Sequence, residues 1–567
     1  MFWRAWGDEV PSGTGARSRI ESGRVMPSYI GIRRSFAKAK KPNPAPLAER
    51  GILRKVAPAG RLRRRGEHPL KIAVIGAGIS GIAAARTLKR FGHEVVIFER
   101  TDSIGGIWAT AYPGVTLQNT AETYRLSDFP WPFEVALHPT AAEVMRYLHA
   151  AAAHFDLDIR LSHPVEAMRA EPDGWSLTIA SPSGSSTAHF DYAIIAVGHY
   201  SQARQEIALP GRETFGGEVV TADTIADLGI FDGKDVAIVG FGKTAVDMTM
   251  FALPRARRVT QIFRAARWLI PYRIMGKHMI DTVSPRSSTA LEPSWVHPGR
   301  LAAFIHRRLG WMLGPYASGV EMMLLRDGGW RPGRTAEETA RMQLVKPRDR
   351  LARQMRGSMA PSGYYDAVRS GAVEPVQGEI AGLDATGVNL KDGRHVAADM
   401  LVLALGHQRP DFPFLPEPYR AIMRSEPDGT PLYRHLLHPG IPRLAFAGFN
   451  HGLYHWPAVE VAMVWLGALL RGDIVLPSRD EMLASAARVH EWKRANTMFE
   501  PTRAYLISNR FHNYLDVLLG DLGVEPRRKS TLLAEINDAY GPADYAGVFE
   551  EYERARGVPR AALPLDT

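Results

Sequence analysis

The chain has 567 residues, 45% hydrophobic and 23% charged, which fits a soluble globular protein of three to four units of about 150 residues. It contains no cysteine, which excludes a disulfide framework, a thiolate metal site and a cysteine nucleophile. The formal net charge is +11, but residues 1–70 hold 16 Lys and Arg against 5 Asp and Glu, so the remainder is balanced and shows no sign of nucleic-acid binding.

Residues 1–68 carry Arg33-Arg34, Lys38-Ala39-Lys40-Lys41 and Arg63-Arg64-Arg65 among scattered Pro and Gly, with no lasting apolar period. This pattern predicts a disordered, solvated tail; a transit peptide or a tether to an anionic surface are the alternatives. No apolar run reaches 18 residues and Met1–Val10 lack a signal core, so a cytoplasmic protein is expected, with room for weak membrane association.

Lys71 to Ile75 (KIAVI) reads as a buried strand leading into Gly76-Ala77-Gly78-Ile79-Ser80-Gly81, then a helix, then a second strand, Glu94 to Phe98, ending at Glu99. This is a dinucleotide-binding turn. Gly76 allows the tight bend, Gly78 lets backbone approach a pyrophosphate, and Gly81 lets helix and strand pack closely. The helix N-terminus faces the phosphates, and Glu99 can accept from a ribose diol.

Gly105-Gly106-Ile107-Trp108, Tyr112-Pro113-Gly114, Gln118-Asn119-Thr120 and Asp128-Phe129-Pro130 follow in order. The series resembles the flavin-containing monooxygenases and their Baeyer–Villiger relatives. The resemblance implies FAD as first cofactor, with Gly106 and Trp108 contributing to its site and Asn119 beside the reactive edge of the flavin. The missing cysteines also exclude the disulfide reductases built on the same double plan.

A second turn, Gly240-Phe241-Gly242-Lys243-Thr244-Ala245, follows the strand Asp235 to Val239, and the next strand, Arg258 to Phe263, ends at Arg264. A guanidinium where the first site has a carboxylate favours a 2′-phosphate, hence NADPH. Gly240, Gly242, Lys243 and Thr244 are the expected contacts. Arg264 with Trp268 also matches a family spacing. The family signature before this site is incomplete: Phe215 and Gly217 are present, but Thr221 and Ile225 replace its His and aromatic residue.

Tyr192 to Gly198 and Met400 to Gly406 resemble the segments that close each dinucleotide domain, with His199 and His407 after them expected as core or loop residues. Leu444 to Gly448 resembles the last FAD-contacting strand, with Gly448 at the cofactor, and Glu460 to Trp465 the helix behind it. Helical patterns are expected near 300–313 and 337–355.

The predicted architecture is α/β: two Rossmann-like dinucleotide-binding domains, for FAD and NADP, the second inserted in the first. The expected boundaries are a tail at 1–68, FAD domain at 69–205 and 409–475, NADP domain at 206–408 with a helical insertion at 276–360, and a C-terminal helical extension at 476–567. No metal ligand set is expected.

The implied activity is NADPH-dependent monooxygenation through a C4a-(hydro)peroxyflavin, with O2 and a small amine or sulfide as partners. A Baeyer–Villiger reaction on a ketone is the alternative. A flavin-binding redox sensor or NADPH oxidase-like protein is the alternative of another class.

Overall fold

Short apolar runs flanked by glycine become strands buried on both faces, as parallel sheets covered by helices require. In this computed structural model, residues 69–199, 208–289, 292–296, 300–556 and 560–562 are described; the tail at 1–68 and its expected disorder lie outside them. Ten strands build two five-stranded sheets. They are Lys71–Ile75 (β1), Glu94–Phe98 (β2), Asp158–Arg160 (β3), Tyr192–Ile195 (β4), Glu218–Thr221 (β5), Asp235–Val239 (β6), Arg258–Phe263 (β7), Val373–Gln377 (β8), Met400–Leu403 (β9) and Leu444–Phe446 (β10).

The first sheet has the order β10-β4-β1-β2-β3 and the second β8-β7-β6-β9-β5, and every pairing is parallel. Ile75 lies opposite both Phe98 and Ile195, so the three strands end at one level, where the first glycine turn begins. All of the second sheet falls in sequence between β4 and β10 of the first. One dinucleotide-type fold is thus inserted in the other, as expected. Each half also carries a three-stranded antiparallel sheet, Val165–Phe190 in the first and Ile380–Ala397 in the second, that the sequence reading did not foresee.

The helices used below are Ile79–Arg90 (α1), Lys243–Ala252 (α2), Arg300–Arg308 (α3), Gly310–Asp327 (α4), Ala336–Leu344 (α5) and His455–Arg471 (α6). α6 is apolar around most of its circumference and almost wholly buried, as a helix inside the core must be. It packs on α1, whose Ile82-Ala83-Ala84-Ala85 run is small enough for close approach.

The insertion departs from expectation. The helix expected near 300–313 is two, interrupted at Leu309, and the second runs on to Asp327. The helix expected at 337–355 stops at Leu344, because Pro347 disfavours helical geometry at the residue before it. The C-terminal extension is helical, with helices at Arg479–Asn496, Phe511–Leu522 and Val548–Ala555.

Candidate functional site

The first glycine turn is closed by backbone. Gly76 has φ +110°, and a Cβ there would lie 2.7 Å from the Ala196 carbonyl oxygen at the end of β4. A Cβ on Gly81 would fall inside the carbonyl oxygen of Gly76, so α1 meets β1 only because Gly81 lacks one. Gly78 caps α1, and Gly106 lies directly over it: a Cβ on Gly106, at φ +58°, would be 3.3 Å from Gly78 Cα. The Gly105 N–H donates to the Ala77 carbonyl at 2.9 Å, joining the two glycine segments. The Trp108 indole N–H donates to the Tyr124 hydroxyl at 3.0 Å.

Glu99 is buried beneath this turn. Its Oε2 accepts the Ala77 N–H at 2.8 Å, and its Oε1 accepts the Thr101 N–H and hydroxyl at 3.0 Å each. The carboxylate is therefore oriented by protein donors, and lone pairs remain for a ribose diol.

Gly448 follows β10 at φ +83°, and a Cβ there would fall inside Ser80 Oγ. Ser80 Oγ is 3.0 Å from His455 Nε2, at the first turn of α6. His455 packs against His451 and His451 against His199, with ring centroids 5.0 and 4.9 Å apart. Burial holds His455 down to about 4 and is the main reason His451 and His199 also sit well below the ordinary imidazole value. These rings form a neutral wall. His199 is thus a core residue, as expected.

The Asn119 side chain donates to the Leu453 carbonyl at 2.8 Å, and the Asn119 backbone carbonyl lies 3.1 Å from His138 Nδ1. Neighbouring Gln118 accepts the Met359 N–H at 2.8 Å, tying this segment to the end of the insertion.

The second turn repeats the first without its cover. Gly240, at φ +133°, would place a Cβ 2.5 Å from the Ala404 carbonyl oxygen beyond β9. Gly242 is exposed, and a Cβ there would have nothing within 4 Å. Thr244 is half-buried in the first turn of α2. Lys243 is ion-paired with Asp247 one turn along the helix, so its charge is already partnered. Arg264 is exposed and makes no side-chain hydrogen bond or ion pair among the described residues; its carbonyl accepts from Gln377 at 2.8 Å.

Five contacts across the fold escaped the sequence reading. Asp247 also accepts the Tyr112 hydroxyl at 2.8 Å, and Gly114, at φ +79°, lies against Phe251, so the Tyr112-Pro113-Gly114 loop rests on α2. Arg86 of α1 pairs with both Asp128 and Glu460, and Glu460 takes the Ser127 N–H at 2.9 Å and its hydroxyl at 2.7 Å. Burial raises the Glu460 carboxyl although Arg86 opposes it. Only the Lys243–Asp247 spacing of four was readable beforehand; the other partners are far apart in sequence.

The residues around the first turn fit FAD. Bare backbone at Gly76, Gly78 and Gly106 lets phosphates approach a helix N-terminus. His455 Nδ1, buried and without a hydrogen-bond partner among the described residues, offers a polar group beside Gly448. The exposed Gly242, the α2 N-terminus and Arg264 suit a phosphorylated nicotinamide dinucleotide.

The profile of the family described as flavin-binding monooxygenase-like (FMO-like) matches residues 69–285. The chain is 27% identical to probable flavin-containing monooxygenase 1 of Arabidopsis thaliana, over 85% of this chain and 97% of that one. It is 25% identical to dimethylaniline monooxygenase [N-oxide-forming] 2 of Rattus norvegicus, over 80% and 83%. An open crystal structure of cyclohexanone monooxygenase shares the fold with a TM-score of 0.59 at 20% identity, covering 80% of this chain and 98% of that one. Residues 69–285 thus match the flavin-binding monooxygenase-like family, the chain is similar to flavin-containing monooxygenases over most of its length, and it is an oxidoreductase using FAD and NADPH.

Proposed function

We propose that this protein transfers one atom of dioxygen to a soft nucleophile, an amine or a sulfide, while NADPH and a proton reduce the other atom to water. The observation that carries the reading is the pairing of two equivalent turns with opposite charges: β2 ends in the buried Glu99 and β7 in the exposed Arg264. A carboxylate suits a ribose diol, whereas a free guanidinium suits a 2′-phosphate. When bound, NADPH supplies hydride and FAD supplies oxygen activation; the protein supplies placement and shielding.

Backbone N–H groups of Gly78 and the start of α1 hold one pyrophosphate, and those of Gly242, Lys243 and Thr244 the other. Asn119, steadied by the Leu453 carbonyl, keeps its second N–H and its Oδ1 for the flavin edge. Trp108 and Gly106 close the loop over the turn. The neutral rings of His199, His451 and His455 exclude water without adding a charge. The rat relative's name, N-oxide-forming, agrees with a nitrogen nucleophile.

The test is anaerobic titration of the FAD-loaded protein with NADPH, followed by 18O2 and a panel of tertiary amines and thioethers. Flavin bleaching by NADPH and one 18O atom in the product support the proposal. Failure of NADPH to bleach the flavin, or hydrogen peroxide accounting for all NADPH consumed with every substrate, would sink it.

A second reading, insertion of oxygen beside a ketone to give an ester, has one observation in its favour. The Arg356 guanidinium lies near enough to His199 and His451 to press both imidazoles toward the neutral form, and Thr502 and Glu500 steady it. Ester formation from cyclic ketones, lost in Arg356→Ala, would select that reading.

A further inference from the structure

The insertion presents an apolar helix face to solvent. α4 turns Val320 and Leu324 toward the core, with Met323 half-buried at the edge of that side. At about 100° per residue, Trp311, Met312, Pro315, Tyr316, Gly319 and Met322 fall within one arc of about 140° that faces outward. Trp311 is 74% exposed, Met322 68%, Tyr316 50% and Met312 49%. The acids of the helix are engaged elsewhere: Glu321 pairs with Arg350 at 3.0 Å, and Asp327 accepts the Met275 N–H at 2.8 Å. That contact sets Met275, itself 63% exposed, at the C-terminal end of α4, while exposed Phe304 lies on α3 before its N-terminal end.

Charge flanks this strip at both ends. Arg307 and Arg308 are exposed at one end, and Arg273, Lys277 and Arg326 at the other. Residues 273–334 hold nine Lys and Arg against four Asp and Glu, although residues 71–567 are balanced.

We propose that this face docks on an anionic lipid bilayer, with α4 lying in the headgroup plane and Trp311, Tyr316 and Met322 inserted. Two copies of the chain meeting here would bring their arginines together. A bilayer of acidic headgroups accepts the apolar strip and the flanking guanidinium groups at once. α4 is about 27 Å long at 1.5 Å per residue. No helix among the described residues is long and apolar enough to cross a membrane, so the helix lies on the bilayer. This docking is independent of which substrate the protein oxidises.

The experiment is flotation of the FAD-loaded full-length protein with vesicles of phosphatidylcholine containing about 30% phosphatidylglycerol, and with pure phosphatidylcholine, at near-physiological salt. The wild type should float with the anionic vesicles. Trp311→Ser/Met322→Ser should lower the partition coefficient at least about tenfold while flavin content and elution volume stay unchanged. Arg307→Glu/Arg308→Glu should weaken the preference for anionic vesicles.

Equal flotation of wild type and Trp311→Ser/Met322→Ser would overturn the proposal and leave the basic tail as the vesicle contact. Absence of wild-type flotation would overturn it as well. So would sedimentation showing a vesicle-free dimer that Trp311→Ser/Met322→Ser dissolves, which would make the face a contact between copies.

Discussion

The two glycine turns share a strand–turn–helix plan but differ in cover. Gly106 lies over Gly78 in the first turn, and Glu99 is buried beneath it, held by three protein donors. Gly242 in the second turn is open, and Arg264 stands in solvent. A covered turn with a pre-oriented carboxylate suits a cofactor that stays bound through many turnovers. An open turn beside a free guanidinium suits a cosubstrate that exchanges. We propose that what packs over the same local motif gives it two binding lifetimes.

The sharpest way to break this comparison is at one glycine of each turn, a close approach in the first and an open position in the second. Gly81→Ala forces a methyl into the Gly76 carbonyl, and overpacking of this kind costs about 1–3 kcal/mol or more. The variant should purify with little or no FAD and a lowered Tm, read by flavin absorbance and thermal denaturation. Gly242→Ala adds a methyl in open space and should leave FAD content and Tm unchanged while raising the KM for NADPH. Equal FAD loss in both would remove the distinction between the turns.

Acid should strike the covered site next. Folded His455 stays neutral until pH approaches about 4, whereas the unfolded imidazole protonates near 6.5. Folding stability is therefore retained above pH 6.5 and lost as pH falls from 6.5 to about 4, by up to about 3 kcal/mol from this residue. Flavin fluorescence during acid titration should show release within that window. His455→Gln should move the release downward in pH without abolishing it, because His93 and His438, also held near 4 by burial, remain. An unmoved release curve would detach His455 from the cofactor site.

Arg264→Ala tests the open site. It should lower kcat/KM for NADPH by about ten- to hundredfold and leave NADH nearly unaffected, the loss of one charge-assisted phosphate contact. An equal fall with both coenzymes would mean that Arg264 does not read the 2′-phosphate. The smallest effect is expected at Lys243. Asp247 already partners its charge, so Lys243→Ala should change the KM for NADPH by no more than about threefold. A larger rise would show that Lys243 leaves Asp247 for the phosphate.

Much of this site could be read directly. The strands at 71–75, 94–98, 235–239 and 258–263 fall where their apolar runs lie. The positive φ values of Gly76, Gly240 and Gly448 occur where the turns demand them. These features are local: hydrophobic runs, glycine geometry and the residue that ends a strand need only a few neighbours.

The insertion was less legible, because Leu309 and Pro347 rearranged helices that periodicity alone would have drawn differently. The exposure of Trp311 and Met322 was equally hidden, since an apolar helix reads alike whether it faces core or solvent.

The sequence by itself determined two nested dinucleotide folds and the opposite charges that end their second strands, because glycine sterics and strand burial act over short distances. Only the tertiary structure decided which turn is covered, which charges are already partnered and which apolar face remains in water. Those outcomes depend on pairs such as Ser80 with His455, Tyr112 with Asp247 and Arg86 with Glu460, brought together by packing across long stretches of chain.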